Sequence, residues 1–397
     1  MTRERCPVCG ASDLDELIVL EDYPMAGNGV VRAEEAQNVP RGLLSIGVCH
    51  VCGTLFQMES PEPEDLQAML LRQPLPIPQK ITGMEVQETD RFLNHLRRLM
   101  PDKGRVLQIG CGTGEVMEKI RNWGFDVAGI DAHPKAVEIA QGLGFEVMEG
   151  RFDEGMFEEE SFDVVVCRSV LEHMIEPVQM LSVMENILKP GGILALEVPN
   201  IEHVFRRGAF GGFAFYHTTY WTAPTLRYAV SLQGLAVDST YETAYLGLFA
   251  EKPDKNEEYT EPIPPATEDV ETIIEDADQF LDRKDRLAEE LVDEIHEHFQ
   301  NGVTIFGAGT PTVDLIYYTG LESEVNQVVT SDKTRHGAVL AGTEYEIGPV
   351  EEHLEPGDNR AILISSERRQ DELLDRLDEY QTGGGRVMRF APDLEVI

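Results

Sequence analysis

RVLQIGCGTGEVMEKIRNWGFDVAGID, residues 105–131, is the stretch that decides the fold. RVLQI reads as a buried strand, EVMEKIRNWG as a helix and DVAGID as a second strand. Gly110, Gly112 and Gly114 form the turn between the first strand and the helix. Glycine lets the backbone come close to a ligand, and the helix N-terminus that follows favours negative charge. The spacing is GxGxG followed by Glu115, so a dinucleotide fingerprint is not matched. Asp131 ends the second strand, where a carboxylate can accept two hydrogen bonds from a ribose diol.

The same alternation runs on through PKAVEIAQGLG, FEVMEG, FDVVVCRS, VQMLSVMENILKPGG and ILALEVPN. Strands alternating with helices of ten or so residues predict a parallel α/β sheet. Outward from it, residues 1–60 carry the paired cysteines, and 61–100 contain PEPEDLQAMLL, a Pro-rich break (PLPIP) and a helix over about 84–99. The central α/β unit spans 101–250. Residues 251–300 hold a charged, Pro-rich linker and a long acidic helix, whose charge run is read as a solvated face. A second α/β pattern fills 301–397, opening on VTIFGAG with Gly307 and Gly309 in its turn. The third fingerprint glycine is missing there, where Thr312 and Val313 stand. Asp332 falls near the next strand end, so a nucleotide ribose, an NAD or a purely structural turn all fit that unit.

A chain of 397 residues implies two or three domains. The formal net charge is −39, and only nine of the 33 basic residues are Lys. Such a surface repels nucleic acid and anionic membranes, so neither is expected as a partner. High acidity with scarce Lys is the composition expected of a protein from a high-salt cytoplasm, where screening suppresses self-repulsion. No apolar run is long enough to span a bilayer, and MTRERCPVCG lacks the apolar core of a signal peptide. A soluble cytoplasmic protein is the expectation; its oligomeric state is not legible.

Cys6 with Cys9 and Cys49 with Cys52 make two CxxC pairs. Two knuckles bring four thiolates together, which predicts a structural Zn2+ site over a redox dithiol. His50 is left without a vacancy. Cys111 and Cys167 read as small buried fillers, although Cys111 also sits inside the glycine loop.

The glycine loop, Asp131 and FDVVVCRSVLEHMIEPVQMLSVMENILKPGGILALEVPN (162–200) together resemble a class I S-adenosylmethionine-dependent methyltransferase. With CPVCG, YPMAGNGVV and VCHVCGTLFQ before it, and IFGAGTPTVDLIYYTG with SDKTRHGAVLAGTEYEI after it, nearly the whole chain is similar to the sugar C-methyltransferases. The resemblance implies a Rossmann-like methyltransferase domain between a small N-terminal zinc module and a C-terminal Rossmann-like domain. It implies S-adenosylmethionine as cofactor, held by Gly110, Cys111, Gly112 and Gly114, by Asp131 and Ala132, by Arg151 and Phe152 near the adenine, and by Arg168 with Ser169 after the fourth strand. Gln108 stands where the family usually has an acidic residue. The acceptor implied is a nucleotide-linked keto-deoxysugar, with another small molecule as the alternative, methylated on O or N; a non-catalytic binding protein is a third reading.

GGFAFYHTTYW, residues 211–221, follows the fifth strand. His217 aligns with the family's catalytic histidine, while Tyr216 stands where Glu is common and Ala214 where Tyr is usual. A histidine has a pKa suited to a general base at neutral pH; a packed core histidine is the bland alternative. Tyr216 or Tyr220 could donate to an enolate oxygen. His173 in LEHM is a second acid/base or substrate contact, and Glu172 is read as surface or helix-start chemistry. His203 is read as structural or rim, and Arg206 with Arg207 as solvated or diphosphate-facing.

The acidity generates one test. The thermal midpoint is expected to rise between low salt and molar KCl, because screening relieves repulsion among the carboxylates. A midpoint indifferent to KCl contradicts salt adaptation.

Overall fold

A computed structural model of the chain describes residues 2–26, 29–72, 84–207, 210–254, 261–299, 301–353, 361–366, 369–390 and 393–397. The N-terminal part is an antiparallel sheet in which β1 (Leu14–Pro24) pairs with β3 (Arg41–Cys49) and β3 with β4 (Leu55–Gln57). The short β2 (Val30–Val31) leaves this sheet. Helix α1 (Pro63–Arg72) follows; the PLPIP break lies outside the described residues. Helix α2 (Met84–Leu99) is the helix expected there, and it buries Phe92, Leu93 and Leu96 in the core beside the central sheet.

The central domain runs β5 (Arg105–Ile109), α3 (Glu115–Asn122), β6 (Asp126–Asp131), α4 (Pro134–Gly142), β7 (Glu146–Glu149), β8 (Phe162–Arg168), α5 (Pro177–Ile187), β9 (Leu188–Pro199), α6 (Ile201–Arg207), β10 (Thr219–Tyr220), α7 (Ala223–Ser231), β11 (Ala236–Glu242) and β12 (Tyr245–Glu251). Its sheet has the order β11-β12-β9-β8-β5-β6-β7. The strands from β7 to β9 are parallel, while β12 pairs antiparallel with both β9 and β11. β8 is almost continuously apolar and buried, as a strand covered on both faces must be. The order reverses between β5 and β8, and their carboxyl ends make the ligand crevice of an open α/β sheet.

The third part begins with α8 (Thr267–His298), then β13 (Val303–Phe306), α9 (Thr310–Thr319), β14 (Val325–Thr330), β15 (Val339–Leu340), β16 (Ile347–Pro349), β17 (Ala361–Ile364), α10 (Gln370–Asp375), α11 (Asp378–Thr382), β18 (Arg386–Arg389) and β19 (Glu395–Val396). Among the described residues, six of these strands form a sheet in the order β16-β14-β13-β17-β18-β19, parallel except for β19. Helix α8 is more than a solvated charge run. Val270, Ile273, Ala277, Phe280, Leu287, Leu291 and Ile295 recur at helical spacing and are buried, opposite an acidic face. Among the described residues, no helix is long and apolar enough to cross a membrane.

The three parts are stitched together by the aromatic stretch. β10, inside that stretch, adds as an antiparallel strand to β4 of the N-terminal sheet, with Thr219 opposite Phe56 and Tyr220 opposite Leu55. β2 pairs with β15 of the third part. Phe210 packs edge-on to Phe390 at 5.3 Å, and Phe213 meets both Tyr220 and Phe280. Beneath them lies a buried ion pair, Lys284 and Asp314, 4.0 Å apart. Tyr23 Oη donates to the Asp314 carboxylate, and the Gly211 amide donates to it as well. The Lys284 ammonium lies over the Tyr318 ring at 3.5 Å, and burial pulls its pKa down to about 8. Burial also raises the Asp314 carboxyl, against the pull of Lys284.

Breaking such a pair leaves one uncompensated charge in the interior. Asp314→Ala is therefore expected to cost about 3–5 kcal/mol, read from urea unfolding. A midpoint unchanged from the parent contradicts the role given to this pair.

Candidate active site

The glycine loop has the backbone its sequence demands. Gly110, Gly112 and Gly114 have φ of 66°, 53° and 92°. A Cβ on Gly110 would strike Val170 at 2.2 Å, so protein packing explains that glycine. A Cβ on Gly112 would meet nothing within 4 Å. That side of the loop is a cradle which protein does not fill. Asp131 holds the cradle in place: its carboxylate accepts from Gly112 N at 2.7 Å and from His133 N at 2.8 Å. Each oxygen keeps a lone pair for a further donor. Its carbonyl accepts from Gly150 N at 2.9 Å, which brings the 150–152 turn alongside. There Arg151 is exposed, Ala132 is half-buried, and Phe152 is packed 6.3 Å from Phe157.

Gln108, on β5 under the loop, is buried, and its Oε1 has no partner. An orphaned acceptor beside an unfilled cradle fits a ligand that carries a donor, as the methionine ammonium of S-adenosylmethionine does. Cys111 packs into the core: a Cβ on Gly129 would lie 2.8 Å from its Sγ, and burial pushes its thiol up to about 12. Arg168 is paired with the buried carboxylate of Glu197, through Nε at 2.8 Å, with a further bond to Thr89 at 3.3 Å. Its guanidinium also covers the Phe92 ring. Tyr241 donates to the same carboxylate. Ser169 follows with φ of 51°, its amide on the Glu197 carbonyl, a strained non-glycine residue at the sheet's carboxyl edge.

The aromatic loop closes over this edge. Gln57 Nε2 donates to the carbonyls of Phe215 (2.8 Å) and Ala214 (3.2 Å), and Gln57 N to Thr218 O. Tyr220 Oη lies 3.0 Å from both Ala214 O and Ala214 N, donating to the first and accepting from the second. That hydroxyl is spent on the loop rather than on a substrate oxygen. On the other side, Thr218 binds the turn Leu171–His173: Thr218 N donates to Glu172 O at 2.7 Å, and its Oγ1 to Met174 O at 2.7 Å. His173 and His217 are thereby brought to 5.0 Å between ring centroids, and the Tyr216 ring sits edge-on to His217 at 4.6 Å. His173 Nδ1 donates to Tyr216 O at 2.8 Å, which fixes its tautomer. Burial pushes this imidazole down to about 4, so it is neutral at pH 7.

Glu172 departs from its expected surface place. It is 2% exposed, and one carboxyl oxygen has no partner. Carboxyl and imidazole atoms of Glu172, His173 and His217 lie within 4.8 Å of one another. In LEHM the charge looks like a helix start; only the pairing of Thr218 with this turn reveals the burial. His203 is half-buried on α6. Arg206 is exposed and pairs with Glu202 at 3.7 Å; the Arg207 side chain lies outside the described residues.

The four knuckle cysteines converge. Their sulfurs lie within 4.8 Å of one another, with Cys6–Cys52 at 3.6 Å and Cys9–Cys49 at 3.5 Å. A tetrahedral zinc with bonds of about 2.3 Å sets sulfurs about 3.8 Å apart, so the set fits. Val8 N–H points at Cys6 Sγ, and Gly10 and Gly53 take φ of 74° and 73° to close the turns. His50 instead meets Asp15 at 2.8 Å. Cys49 ends β3 and Cys52 precedes β4, so this knuckle sets the register of the strand that clamps the aromatic loop.

The glycine turn of the third part is covered by the chain itself. A Cβ on Gly29 would lie 2.5 Å from Thr310 N, so residue 29 packs on the N-terminus of α9. Gly211 packs likewise on Pro311. Asp332 accepts from Thr334 N at 3.0 Å and pairs with Arg335 at 3.1 Å. A pyrophosphate would need the ground that residue 29 holds, so the packing supports the structural reading of this turn.

The methyltransferase-domain family matches residues 85–240, and the family described as the C-methyltransferase C-terminal domain matches 267–392. The C-methyltransferase NovU of Streptomyces niveus is 22% identical over 99% of this chain and 97% of its own length. A ubiquinone biosynthesis O-methyltransferase of Cereibacter sphaeroides is 33% identical over 30% of this chain; the chain spans about half the length of that relative. A solved S-adenosylmethionine-dependent methyltransferase from Mesorhizobium loti has a TM-score of 0.36 at 17% identity, covering 40% of this chain and 96% of its own. The cradle gives the test of cofactor binding. Gly112→Ala puts a methyl into the unfilled side of the loop and is expected to weaken S-adenosylhomocysteine binding at least about tenfold by calorimetry. An unchanged affinity contradicts the cradle. With one match on the central α/β part and the other on the third part, the chain is an S-adenosylmethionine-dependent methyltransferase whose third part matches the C-methyltransferase C-terminal domain.

Proposed function

We propose that the chain methylates a carbon next to the ketone of a nucleotide-linked keto-deoxysugar, with His217 as general base. The observation that carries this reading is the placement of His217. A loop clamped by Gln57 and Thr218 holds it at the carboxyl edge of the sheet, against Tyr216 and His173. The similarity of nearly the whole chain to a C-methyltransferase supports a carbon acceptor.

A carbon acid needs a base, a donor for the charge that develops on oxygen, and a dry site. His217 takes the proton from the carbon beside the ketone. The electron pair left behind is shared between that carbon and the ketone oxygen, and the carbon then takes the methyl group. Bound S-adenosylmethionine would supply that methyl from its sulfonium centre, the electron pair of the broken S–C bond staying on sulfur so that S-adenosylhomocysteine is the leaving group; the Gly110–Gly114 loop, Asp131 and Gln108 are the residues that would hold it. Phe213, Phe215 and Tyr220 are buried, so the wall behind His217 excludes water. Arg168 supports the edge by neutralising Glu197.

Cys6, Cys9, Cys49 and Cys52 are assigned a structural Zn2+. All four positions of a tetrahedron are filled by sulfur, which leaves no open position for catalysis. Methylation on oxygen is the second reading, favoured by the match to the O-methyltransferases over the central domain.

Two measurements test these assignments. In deuterated water the acceptor C–H is expected to exchange with the parent protein and not with His217→Asn; exchange retained in that variant contradicts the base, and an O-methyl product contradicts the carbon acceptor. Metal analysis is expected to give one zinc per chain, lost in Cys49→Ser; a zinc-free folded parent contradicts the zinc site.

A further inference from the structure

We infer that Glu172 is the acid of this site, a neutral carboxyl that hydrogen-bonds the acceptor's ketone oxygen as that oxygen becomes an enolate. The inference rests on the carbon-acceptor reading above.

Three observations carry it. First, the carboxyl is buried, and its Oε2 has no hydrogen-bond partner. An unsatisfied buried carboxyl costs about 1–3 kcal/mol, more if charged, so a fold that keeps one has a use for it. Second, it belongs to the Glu172–His173–His217 cluster, whose atoms lie within 4.8 Å, yet Glu172 Oε1 and His173 Nε2 are 3.9 Å apart. That is too far for a hydrogen bond, so the His173 imidazole does not satisfy the carboxyl. Third, His173 is not the donor. Its Nδ1 proton is given to Tyr216 O, so the neutral ring carries no proton on Nε2. If His217 must accept a proton, the donor in this cluster is Glu172.

The charged and titratable surroundings agree. Around the carboxyl stand His173 and His217, Glu197 on β9 and Cys167 on β8, while Arg168 is bound to Glu197; the Ser169 carbonyl faces His173. Burial first, and repulsion from Glu197 after it, push Glu172 up to about 8. It therefore holds its proton at pH 7 and loses it as pH rises through about 8. A protonated carboxylic acid in an apolar site is a known form of oxyanion donor.

The test uses the full-length zinc-loaded protein with S-adenosylhomocysteine affinity as the check on folding. The infrared difference between the parent and Glu172→Gln at pH 7 is expected to show a protonated carboxylic C=O stretch in the parent, fading above about pH 8. With a keto-deoxysugar nucleotide as acceptor, Glu172→Ala is expected to lower kcat about 10²–10³-fold and to slow C–H exchange equally. Glu172→Gln, which keeps an N–H donor, stays within about tenfold of the parent and loses the fall in kcat above pH 8. The inference is overturned if no protonated carboxyl disappears in Glu172→Gln. It is overturned if Glu172→Ala exchanges at the parental rate while His217→Asn does not exchange. A second metal ion per chain, lost in Glu172→Gln, also overturns it, because the cluster would then be a metal site. Exchange that survives in His217→Asn removes the base assignment instead, an O-methyl product removes the carbon-acceptor reading, and the infrared result still decides the protonation of Glu172.

Discussion

The Lys284–Asp314 pair is the interaction on which the rest of the molecule's arrangement depends. Four segments meet at it: β1 through Tyr23, the aromatic loop through the Gly211 amide, α8 through Lys284 and α9 through Asp314. Ion pairs this deeply buried are seldom net stabilisers against an apolar alternative, but they punish a wrong partner severely. Here the pair requires all four segments to arrive in one arrangement. The apolar contacts around it, Phe210 on Phe390 and Phe213 on Phe280, supply the burial that the pair itself cannot.

This junction explains why a methyltransferase sheet carries flanking parts. The central domain alone positions the glycine loop, since Asp131 ends β6 and Gly112 lies in the turn that follows the adjacent strand β5. It does not position the acceptor side. The loop bearing His217 has little regular structure of its own. It takes its shape from β4 and Gln57 on one side and from Pro311 and Asp314 on the other. The cysteine knuckle bounds β4, so the cysteine cluster and the loop bearing His217 share one strand. The third part, with Gly29 packed on the start of α9, acts through packing on the loop.

Much of this was legible in the sequence. The glycine turn, Asp131 and the run of alternating strands and helices follow local rules, and the observed sheet obeys them. The knuckles are legible because CxxC spacing is a local property of a turn. Long-range pairing was not. Thr219 and Tyr220 add to β4 through two residues, and no periodicity marks so short a strand. Glu172 was misplaced because a charged residue beside a histidine and before Pro177 looks like a helix start, and its burial comes from a segment more than forty residues away. Arg168 looked ready for the cofactor at a strand end, but Glu197 stands opposite it in register on the neighbouring strand. Helix α8 could have been read further: its apolar residues recur at three and four under the acidic face, and Lys284 lies on that stripe.

The site that results is economical in charge. His173 is neutral and tautomer-locked, Glu197 is matched by Arg168, and Tyr220 is tied to its own loop, and His217 and Glu172 are the groups we propose as base and acid. The most direct test is a crystal structure of the chain with S-adenosylhomocysteine and a keto-deoxysugar nucleotide. The account predicts the acceptor carbon between His217 and the cofactor sulfur, with the ketone oxygen against Glu172. A sugar bound with a hydroxyl oxygen at the sulfur, or with His217 out of reach of the acceptor carbon, would contradict it.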